Sequence, residues 1–293
     1  MTDTAARQLR LLVIVAHPHD FTHFAGTCAH HIERGDCVKL VSLTGGLNIH
    51  NEDLHRELRK PPEERDMQII SESDDQYAER KEHEMNQAAG LFGITDAQVW
   101  SFPDNPLEPA PEAIQAVTDV LYDYRPQMLL THAPYMEPNR GHYNAVISDH
   151  VAAGITVQRA LARAGTPDRH SQQEPHQVAA IYYMAAEFAP HEFDIVVDIT
   201  DHAHNRLQAE MLFKSQGQSD AFARKRIEYR ALFDGWAGGY SYGESFIRAR
   251  HSVDRHLPVS DEELRLSQMA SADMLEQMSF RVGDRPATED AGD

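Results

Sequence analysis

The sequence predicts an α/β fold built on a doubly wound, mostly parallel sheet. Residues 11–16 (LLVIVA) are a continuous apolar run, which is typical of a central parallel strand that is covered on both faces. Segments with strand-like and helix-like patterns then alternate along the chain, as a parallel sheet requires. With 293 residues, of which 41% are hydrophobic, the chain is long enough to bury the core of one large domain of this class.

The first predicted elements form a βαβ unit, which is right-handed by default. Residues 11–16 are its first strand, residues 22–34 a helix that ends at Gly35, and residues 37–43 a second strand before the glycine pair 45–46. The alternation continues beyond this unit. The later predicted elements are a helix at 80–92, a strand at 98–102, a helix at 111–124 and a strand at 128–132.

One domain, residues 1–255, is predicted to hold the sheet, and residues 256–293 to add a C-terminal helix and an acidic tail. A capping box, a serine followed three residues later by a glutamate, opens this helix at residues 260–278. Residues 47–79 are polar with little periodicity, which predicts a long insertion beside the strand ends. A mobile lid, an ordered loop used in assembly and a solvated segment without a catalytic role are all compatible with this composition.

The charge and the cysteine content exclude several classes of function. The chain has 46 Asp and Glu against 27 Lys and Arg, and its formal net charge of −19 disfavours binding to nucleic acid or to an anionic membrane surface. Its two cysteines, Cys28 and Cys37, are too few for a disulfide scaffold or a cysteine-rich zinc module. The apolar run 11–16 is too short for a signal peptide or a membrane span. We therefore expect a soluble cytoplasmic protein.

A cluster of histidine and aspartate follows directly after the first predicted strand. In open α/β sheets, ligands bind at the carboxyl ends of the strands, and His17 and Asp20 lie at such an end. A catalytic zinc ion typically takes three protein ligands of this kind and keeps one position for water. His17 and Asp20 can supply two of the three. Asp20 is also a favourable N-cap for the helix that follows, so these residues alone leave a structural role open.

Several segments of the chain resemble one enzyme family. Residues 16–21, AHPHDF, resemble the Ala-His-Pro-Asp-Asp-Glu hallmark of the LmbE-like N-deacetylases, which are metal-dependent and related to the PIG-L sugar deacetylases. Four later segments resemble further family elements in the same order. They are RKEHEMNQAAGLFGI, YRPQMLLTH, FDIVVDITDHAHNRLQAEMLFKSQ and GYSYGESF. The resemblance covers about residues 10–250 and implies the LmbE-like, Rossmann-like three-layer α/β/α form of the predicted fold.

The resemblance also implies a metal site. In the family, the His and the second Asp of the hallmark hold the metal, so His17 and Asp20 are the corresponding ligands here. The expected cofactor is Zn²⁺ or another divalent transition metal, because imidazole nitrogen and carboxylate oxygen suit such ions.

The third metal ligand is expected from the segment that follows His132. The family usually has His-x-x-His there, with the second His on the metal, and this chain offers MEPNRGHYNAVISDHV. Placing His142 on the metal leaves Asn139 at the first position, beside the metal or the substrate. Placing His142 first leaves Ala145, which is no ligand. We favour His142 as the ligand, and His150, about two helical turns further along, is a weaker candidate.

His19 stands where the family has the first Asp of its hallmark, which is thought to act as general base on metal-bound water. Three interpretations are open. A neutral imidazole can accept the proton, since its ordinary pKa of about 6.5 suits a base near neutral pH. Alternatively, His19 is an additional metal ligand, or the site binds its ligand but hydrolyses it poorly.

Other polar residues have both a functional and a structural interpretation. His132, at a strand end, orients a ligand or stabilises a developing oxyanion, or it anchors a loop. Glu244 holds a site histidine or a sugar hydroxyl, or it closes the fold. His23 is expected on a helix face near the site, with direct contact to the metal as the less favoured alternative. His30 and His31 are expected to be surface residues.

The resemblance implies a metal-dependent N-deacetylase, a hydrolase that removes an acyl group such as acetyl from an amino sugar or sugar conjugate. The chain lacks the G-x-G-x-x-G of dinucleotide-binding enzymes after its first strand and the G-x-S-x-G of serine hydrolases. The expected partner is therefore a small N-acyl sugar substrate. The alternative is a metal- or sugar-binding protein on the same scaffold, altered at His19. Assembly into a homo-oligomer, through the polar insertion or the C-terminal helix, is left open.

Overall fold

A seven-stranded sheet forms the centre of the computed structural model, which describes residues 8–135, 145–167, 169, 173–216 and 219–282, with the backbone alone at 145–147. The strands are β1 (Arg10–Val15), β2 (Cys37–Ser42), β3 (Asp96–Val99), β4 (Met128–Thr131), β5 (Ala180–Met184), β6 (Ile195–Asp198) and β7 (Gly243–Arg248). Their order is β3-β2-β1-β4-β5-β7-β6. The first five of these run parallel, and β7 is antiparallel to both of its neighbours. The predicted, mostly parallel α/β fold is confirmed.

Helices connect and cover these strands. They are α1 (Ala25–Glu33), α2 (Glu52–Leu58), α3 (Met67–Ile70), α4 (Asp74–Gly90), α5 (Pro111–Tyr124), α6 (Ala145–Ala164), α7 (Ala203–Leu212), α8 (Asp220–Arg226), α9 (Leu232–Gly238), α10 (Asp261–Ser267) and α11 (Ser271–Gln277). A π-helical stretch, Ile227–Ala231, joins α8 to α9, and a 3-10 turn, Pro18–His23, precedes α1. Within the described ranges, no helix combines the length and the apolar composition that are needed to cross a membrane.

The position of β1 explains why its sequence has no polar interruption. Its neighbours on the two sides are β2 and β4. Leu11 and Val13 face a core that also contains residues of α1 and α4, whereas Leu12 and Ile14 face a second core with residues of α5 and α6. Both faces of the strand are thus buried, as expected of a central parallel strand.

Two of the predicted helices show how local bonds set the limits of an element. The helix predicted at 111–124 coincides with α5, whose first residue is a proline at a position where proline is favoured. The helix predicted at 22–34 is shorter, because the chain first forms the 3-10 turn and α1 begins only at Ala25. The side chain of Asp20 accepts the backbone N–H of His17 at 2.8 Å and closes that tighter turn.

The polar insertion contains helices that its composition did not predict. α2 begins after Asn51, whose side chain accepts the N–H of Leu54 at 3.0 Å. α3 begins after Asp66, which caps it in the same way. Side-chain caps therefore set where these helices begin, although the segment has no helical repeat of apolar residues.

Residues 260–278 form two helices, α10 and α11, in place of the single predicted helix. The capping box at Ser260 opens α10 as predicted. Arg265 donates to the side chain of Gln277 at 3.1 Å, and Gln277 donates to the carbonyl of Gly239 at 2.7 Å. These bonds hold α11 against the body of the protein. They join residues that are not neighbours in the chain, so a local sequence pattern does not predict them.

Five parallel strands end at one edge of the sheet, and four of them bring polar residues together there. β1 is followed by His17, β2 by the segment that carries His50, β4 by His132 and β5 by the turn that carries Glu187. α6 returns beside β1 and β4 and carries His150 near its beginning. The candidate site is built from these loops and from this helix.

Candidate metal centre

Asp20 lies at the centre of a buried group of side chains at this sheet edge, with only 2% of its surface exposed. Its Oδ2 atom accepts the backbone N–H of His17 at 2.8 Å and lies 3.3 Å from ring nitrogens of His17, His132 and His150. Burial raises the pKa of Asp20, but the neighbouring histidines, His150 and His19 first among them, outweigh burial and hold the pKa well below its usual range. Asp20 is therefore a carboxylate surrounded by imidazoles.

The ring of His17 is fully buried between two carboxylates. Its Nε2 lies 3.2 Å from Asp149 Oδ2 and donates a hydrogen there, because a carboxylate only accepts. Its Nδ1 faces Asp20 and has no hydrogen-bond partner among the described residues. Burial lowers the pKa of His17, but the hydrogen bond to Asp149 and the negative charge of Asp20 outweigh burial and raise it. In its neutral form, His17 thus turns a free lone pair toward Asp20.

His150 repeats this arrangement from α6. Its Nδ1 hydrogen-bonds to Glu187, and its Nε2, 3.3 Å from Asp20 Oδ2, is buried without a hydrogen-bond partner in the described part of the chain. Burial lowers the pKa of His150, but the charges of Asp20 and Glu187 outweigh burial and raise the pKa to about 10. The carboxylates therefore favour positive charge at the place where both imidazoles meet Asp20.

These three side chains fit a divalent metal ion of the zinc class. One ligand atom from each of His17, Asp20 and His150 lies within 4.8 Å of the other two. A carboxylate stands behind each imidazole, and such a partner commonly fixes the tautomer and the orientation of a metal-bound histidine. Two nitrogen donors and one oxygen donor are typical of catalytic zinc sites, which keep a further position for water.

Comparison with known proteins identifies the family of the chain. The family model described as PIG-L, GlcNAc-PI de-N-acetylase, matches residues 12–161, which is about half of the chain. The chain belongs to the PIG-L family. The resemblance that the sequence motifs predict is confirmed.

One curated relative of this PIG-L protein is the 1D-myo-inositol 2-acetamido-2-deoxy-alpha-D-glucopyranoside deacetylase 2 of Catenulispora acidiphila. The two are 25% identical over 206 residues, and the match covers 62% of each protein. The chain therefore spans less than two thirds of the length of that relative.

Solved structures share the fold. N,N'-diacetylchitobiose deacetylase from Pyrococcus horikoshii matches with a TM-score of 0.64 and 22% identity, over 84% of this chain and 86% of the other. GalB, the 4-carboxy-2-hydroxymuconate hydratase from Pseudomonas putida KT2440, matches with a TM-score of 0.66 and 18% identity, over 86% of this chain and 100% of the other. The predicted LmbE-like fold is confirmed. Because the scaffold carries a hydratase as well as a deacetylase, the fold alone does not decide the reaction.

The sequence and the structure favour different histidines as the third candidate metal ligand. His142 and Asn139 lie outside the described residues, and their roles remain predictions. His150, the weaker candidate in the sequence, is the histidine of α6 that reaches Asp20. Since α6 packs beside β1 and β4, its early turns lie next to the ends of both strands.

His132 contacts the same carboxylate but has a different environment. Its Nε2 accepts the backbone N–H of Ala16 at 3.0 Å, which ties the end of β4 to the end of β1. Its ring stacks on that of His150 with 4.1 Å between the centroids. Burial and the neighbouring His150 lower its pKa, so His132 is a neutral imidazole. The structure thus gives His132 an anchoring role, and its predicted role toward the substrate remains a prediction.

His19 lies on the other side of Asp20. Its Nδ1 is 2.8 Å from the side-chain nitrogen of Gln216, and its Nε2 is 3.3 Å from Asp20 Oδ1. Burial lowers the pKa of His19 well below its ordinary value; Asp20 opposes this effect, whereas His50 and Arg226 add to it. His19 is therefore a neutral imidazole next to the candidate metal ligands.

Four side chains at the site were not singled out from the sequence. They are His50, Asp149, Glu187 and Gln216. Asp149 had a signal, because it directly precedes a candidate ligand, and Gln216 lies within a segment that resembles the family. His50 and Glu187 follow β2 and β5, and nothing in the local sequence marks either of them as part of a site.

Two residues with open roles have structural partners. The ring nitrogens of His23 lie 3.1 Å from Arg206 and 3.3 Å from Arg226, and the neutral ring can accept a hydrogen bond from only one of these guanidinium groups. His23 thus faces the two arginines, and its described bonds include none to the candidate metal ligands. Glu244 accepts backbone N–H groups at the start of α1. It therefore anchors α1. None of its described hydrogen bonds reaches a histidine of the site or a place where a sugar could bind.

A buried lysine supports the turn that carries Gln216. Lys81 in α4 is fully buried, with its Nζ 2.8 Å from Glu84 and 2.9 Å from the hydroxyl of Ser215. Ser215 also donates to Glu84 at 2.8 Å. Burial lowers the pKa of Lys81 from 10.5 to about 8, although Glu84 opposes the shift. The folded protein therefore loses this proton more readily than the unfolded chain does.

The titration of Lys81 should make the free energy of unfolding rise with pH. Below pH 8, Lys81 is protonated in both states, whereas between pH 8 and 10.5 it is protonated mainly in the unfolded chain, so deprotonation favours folding. Relative to a Lys81→Met variant, we expect the free energy of unfolding of the wild type to increase by about 2 kcal/mol between pH 7 and pH 9.5. Urea denaturation at both pH values measures this change. A difference between the two proteins that does not vary with pH would contradict it.

Proposed function

We propose that the chain is a metal-dependent hydrolase that removes the N-acetyl group of an amino sugar or sugar conjugate. The observation that carries the proposal is the pair of unpartnered imidazole nitrogens, on His17 and His150, that meet the carboxylate of Asp20. Membership of the PIG-L family supports this reaction class. The Catenulispora acidiphila relative is named as a deacetylase of an N-acetylated glucosaminyl inositol, which supports a sugar conjugate as the substrate class.

In this proposal, His17, Asp20 and His150 hold the metal. A zinc-class ion supplies Lewis-acid polarisation of the acetamide carbonyl and a water of lowered pKa. Asp149 and Glu187 hold the two imidazoles from behind, so that each presents one nitrogen to the site. This support keeps the ligands in place without rearrangement.

His19 is our candidate general base, and Gln216 decides whether it can act. A neutral imidazole accepts a proton only at the nitrogen without hydrogen. When the Gln216 amide nitrogen donates to Nδ1, the hydrogen of His19 is on Nε2 and faces Asp20. The Gln216 oxygen is buried and has no hydrogen-bond partner among the residues that the structure describes. A half-turn of the amide brings this oxygen to Nδ1 and leaves Nε2 free to accept a proton.

Release of acetate from N-acetylglucosamine and from N-acetylglucosaminyl inositol tests the proposal. We expect the zinc-loaded wild type to release acetate and the chelator-treated protein to lose this activity. A His19→Ala variant should retain the metal but react about 10²- to 10⁴-fold more slowly, the usual contribution of general base catalysis. His19→Asp, which restores the carboxylate of the family hallmark, should retain most of the activity.

The variants separate the proposal from its alternative. Undiminished activity in His19→Ala would exclude His19 as the base while leaving the hydrolase intact. A wild type that holds its metal and binds N-acetyl sugars without releasing acetate would instead indicate a binding protein on the deacetylase scaffold.

A further inference from the structure

A second group of metal-ligating side chains lies where α1 ends. His30 and Glu33 are three residues apart on α1 and so lie on the same side of the helix, and His202 closes a 3-10 turn, Thr200–His202, just before α7. One ligand atom from each lies within 4.8 Å of the other two. The group shares no residue with the centre around Asp20.

The tautomer of His30 is fixed by the backbone. Its Nε2 lies 2.8 Å from the carbonyl oxygen of Asp198, at the end of β6. A carbonyl only accepts, so Nε2 donates its hydrogen there and the neutral ring keeps its lone pair on Nδ1. That Nδ1 lies 3.5 Å from Glu33 Oε2. A backbone carbonyl behind the ring is a common arrangement for a metal-bound histidine.

His202 supplies an unpartnered nitrogen at the same place. Only 8% of the residue is exposed, and its Nε2 is buried and has no hydrogen-bond partner within the described ranges. This nitrogen lies 3.4 Å from Glu33 Oε1, and the rings of His202 and His30 meet edge to face with 4.6 Å between the centroids. A buried polar atom that is left unpaired costs free energy. A cation between the three side chains would remove that cost.

The group is open to solvent on one side. The side chain of Glu33 is 61% exposed and that of His30 is 41% exposed, so an ion can enter and water can complete its coordination. The neighbouring basic residues His31 and Arg34 are paired with Asp36. The positive charge of Arg34 is therefore directed at Asp36 and away from Glu33.

We propose that His30, Glu33 and His202 bind one divalent transition metal ion of the zinc class. Two imidazole nitrogens and one carboxylate oxygen suit zinc, nickel and copper better than magnesium or calcium, which take mainly oxygen ligands. The bound ion fastens the end of α1 to the segment that joins β6 to α7. Because the unfolded chain does not hold these three residues together, the ion stabilises the folded state.

Counting zinc ions per chain in matched variants tests this site. The protein is stripped with a chelator, titrated with Zn²⁺ in a calorimeter and analysed for bound metal after desalting, and its melting temperature is measured with and without zinc. We expect His202→Ala and His30→Gln to bind one ion fewer than the wild type. The rise in melting temperature on adding zinc should also be smaller in these two variants than in the wild type. His204→Ala, two residues further along and outside the group, should behave as the wild type.

The result is independent of the proposed function. If the Asp20 site binds zinc, the wild type holds two ions and His202→Ala one; if it does not, the counts are one and none. Circular dichroism of each variant shows that it is folded. Equal zinc counts and equal melting shifts in the wild type, His202→Ala and His30→Gln would overturn the proposal.

Discussion

A His150→Ala variant is expected to bind no metal at the Asp20 site and to release acetate more than about 100-fold more slowly than the wild type. The Nε2 of His150 is an unpartnered nitrogen 3.3 Å from Asp20, and its Nδ1 is held by Glu187. Partners behind metal-bound histidines are typically worth about 10- to 100-fold in affinity or activity, so the ligand itself should be worth more. Glu187→Gln, which keeps the shape of that partner, should fall within the 10- to 100-fold range.

His142→Ala is the matched comparison, because the sequence favours His142 as the third ligand. Both variants are made in a His202→Ala background, so that the second zinc site does not contribute to the count. Elemental analysis and acetate release are measured at the same zinc concentration. Metal that is kept in the His150 variant and lost in the His142 variant would contradict our assignment and support the ligand that the sequence favours.

The fold could be predicted from the sequence because its signals are local. The apolar run of β1 and the alternation that follows it are sufficient for a parallel sheet, and α5 lies where its period and its first proline place it. The antiparallel strand β7 between β5 and β6 is different. Its place in the sheet depends on contacts with strands far away in the chain, and no local pattern specifies them.

The candidate site was predictable only as far as its residues are contiguous. His17 and Asp20 follow one strand and belong to one recognisable run. The third ligand that we propose, His150, lies across a segment whose length differs from the family pattern, and counting residues from His132 favours His142 instead. Glu187 and Gln216 reach the site from further along the chain, through bonds with His150 and His19. Such long-range partners are set by packing, and sequence spacing does not reveal them.

Replacing Glu244 with alanine is expected to destabilise the protein by about 3–5 kcal/mol, the usual cost of removing one partner of a buried ion pair. Glu244 is 1% exposed and accepts the backbone N–H of Gly26 at 2.9 Å, the N–H of Thr27 at 2.8 Å and the Thr27 hydroxyl at 2.7 Å. Arg206, 2% exposed, lies 3.7 Å from the same carboxylate. Alanine would leave these donors and a buried cation without their acceptor.

The close packing at Gly26 makes this cost hard to avoid. A Cβ atom at Gly26 would lie 2.4 Å from the side chain of Ile199, so the start of α1 is pressed against the segment that follows β6. The start of α1 therefore cannot readily shift toward another acceptor, and its donors would be left unsatisfied. The glutamate thus acts as an N-terminal cap of α1 that is supplied from β7, and the negative charge also favours the positive end of the helix.

Two further variants distinguish the ion pair from the cap. Glu244→Gln keeps an oxygen for one N–H but has no charge for Arg206, so its loss of stability should be smaller than that of Glu244→Ala. Combining Glu244→Ala with Arg206→Leu should cost less than the sum of the two single substitutions, because no buried cation is left unpaired. Urea denaturation gives the free energies of unfolding, and the metal content of the Asp20 site serves as the control that should not change. A loss below about 1 kcal/mol in Glu244→Ala, or strict additivity in the double variant, would show that Glu244 does not anchor α1 in this way.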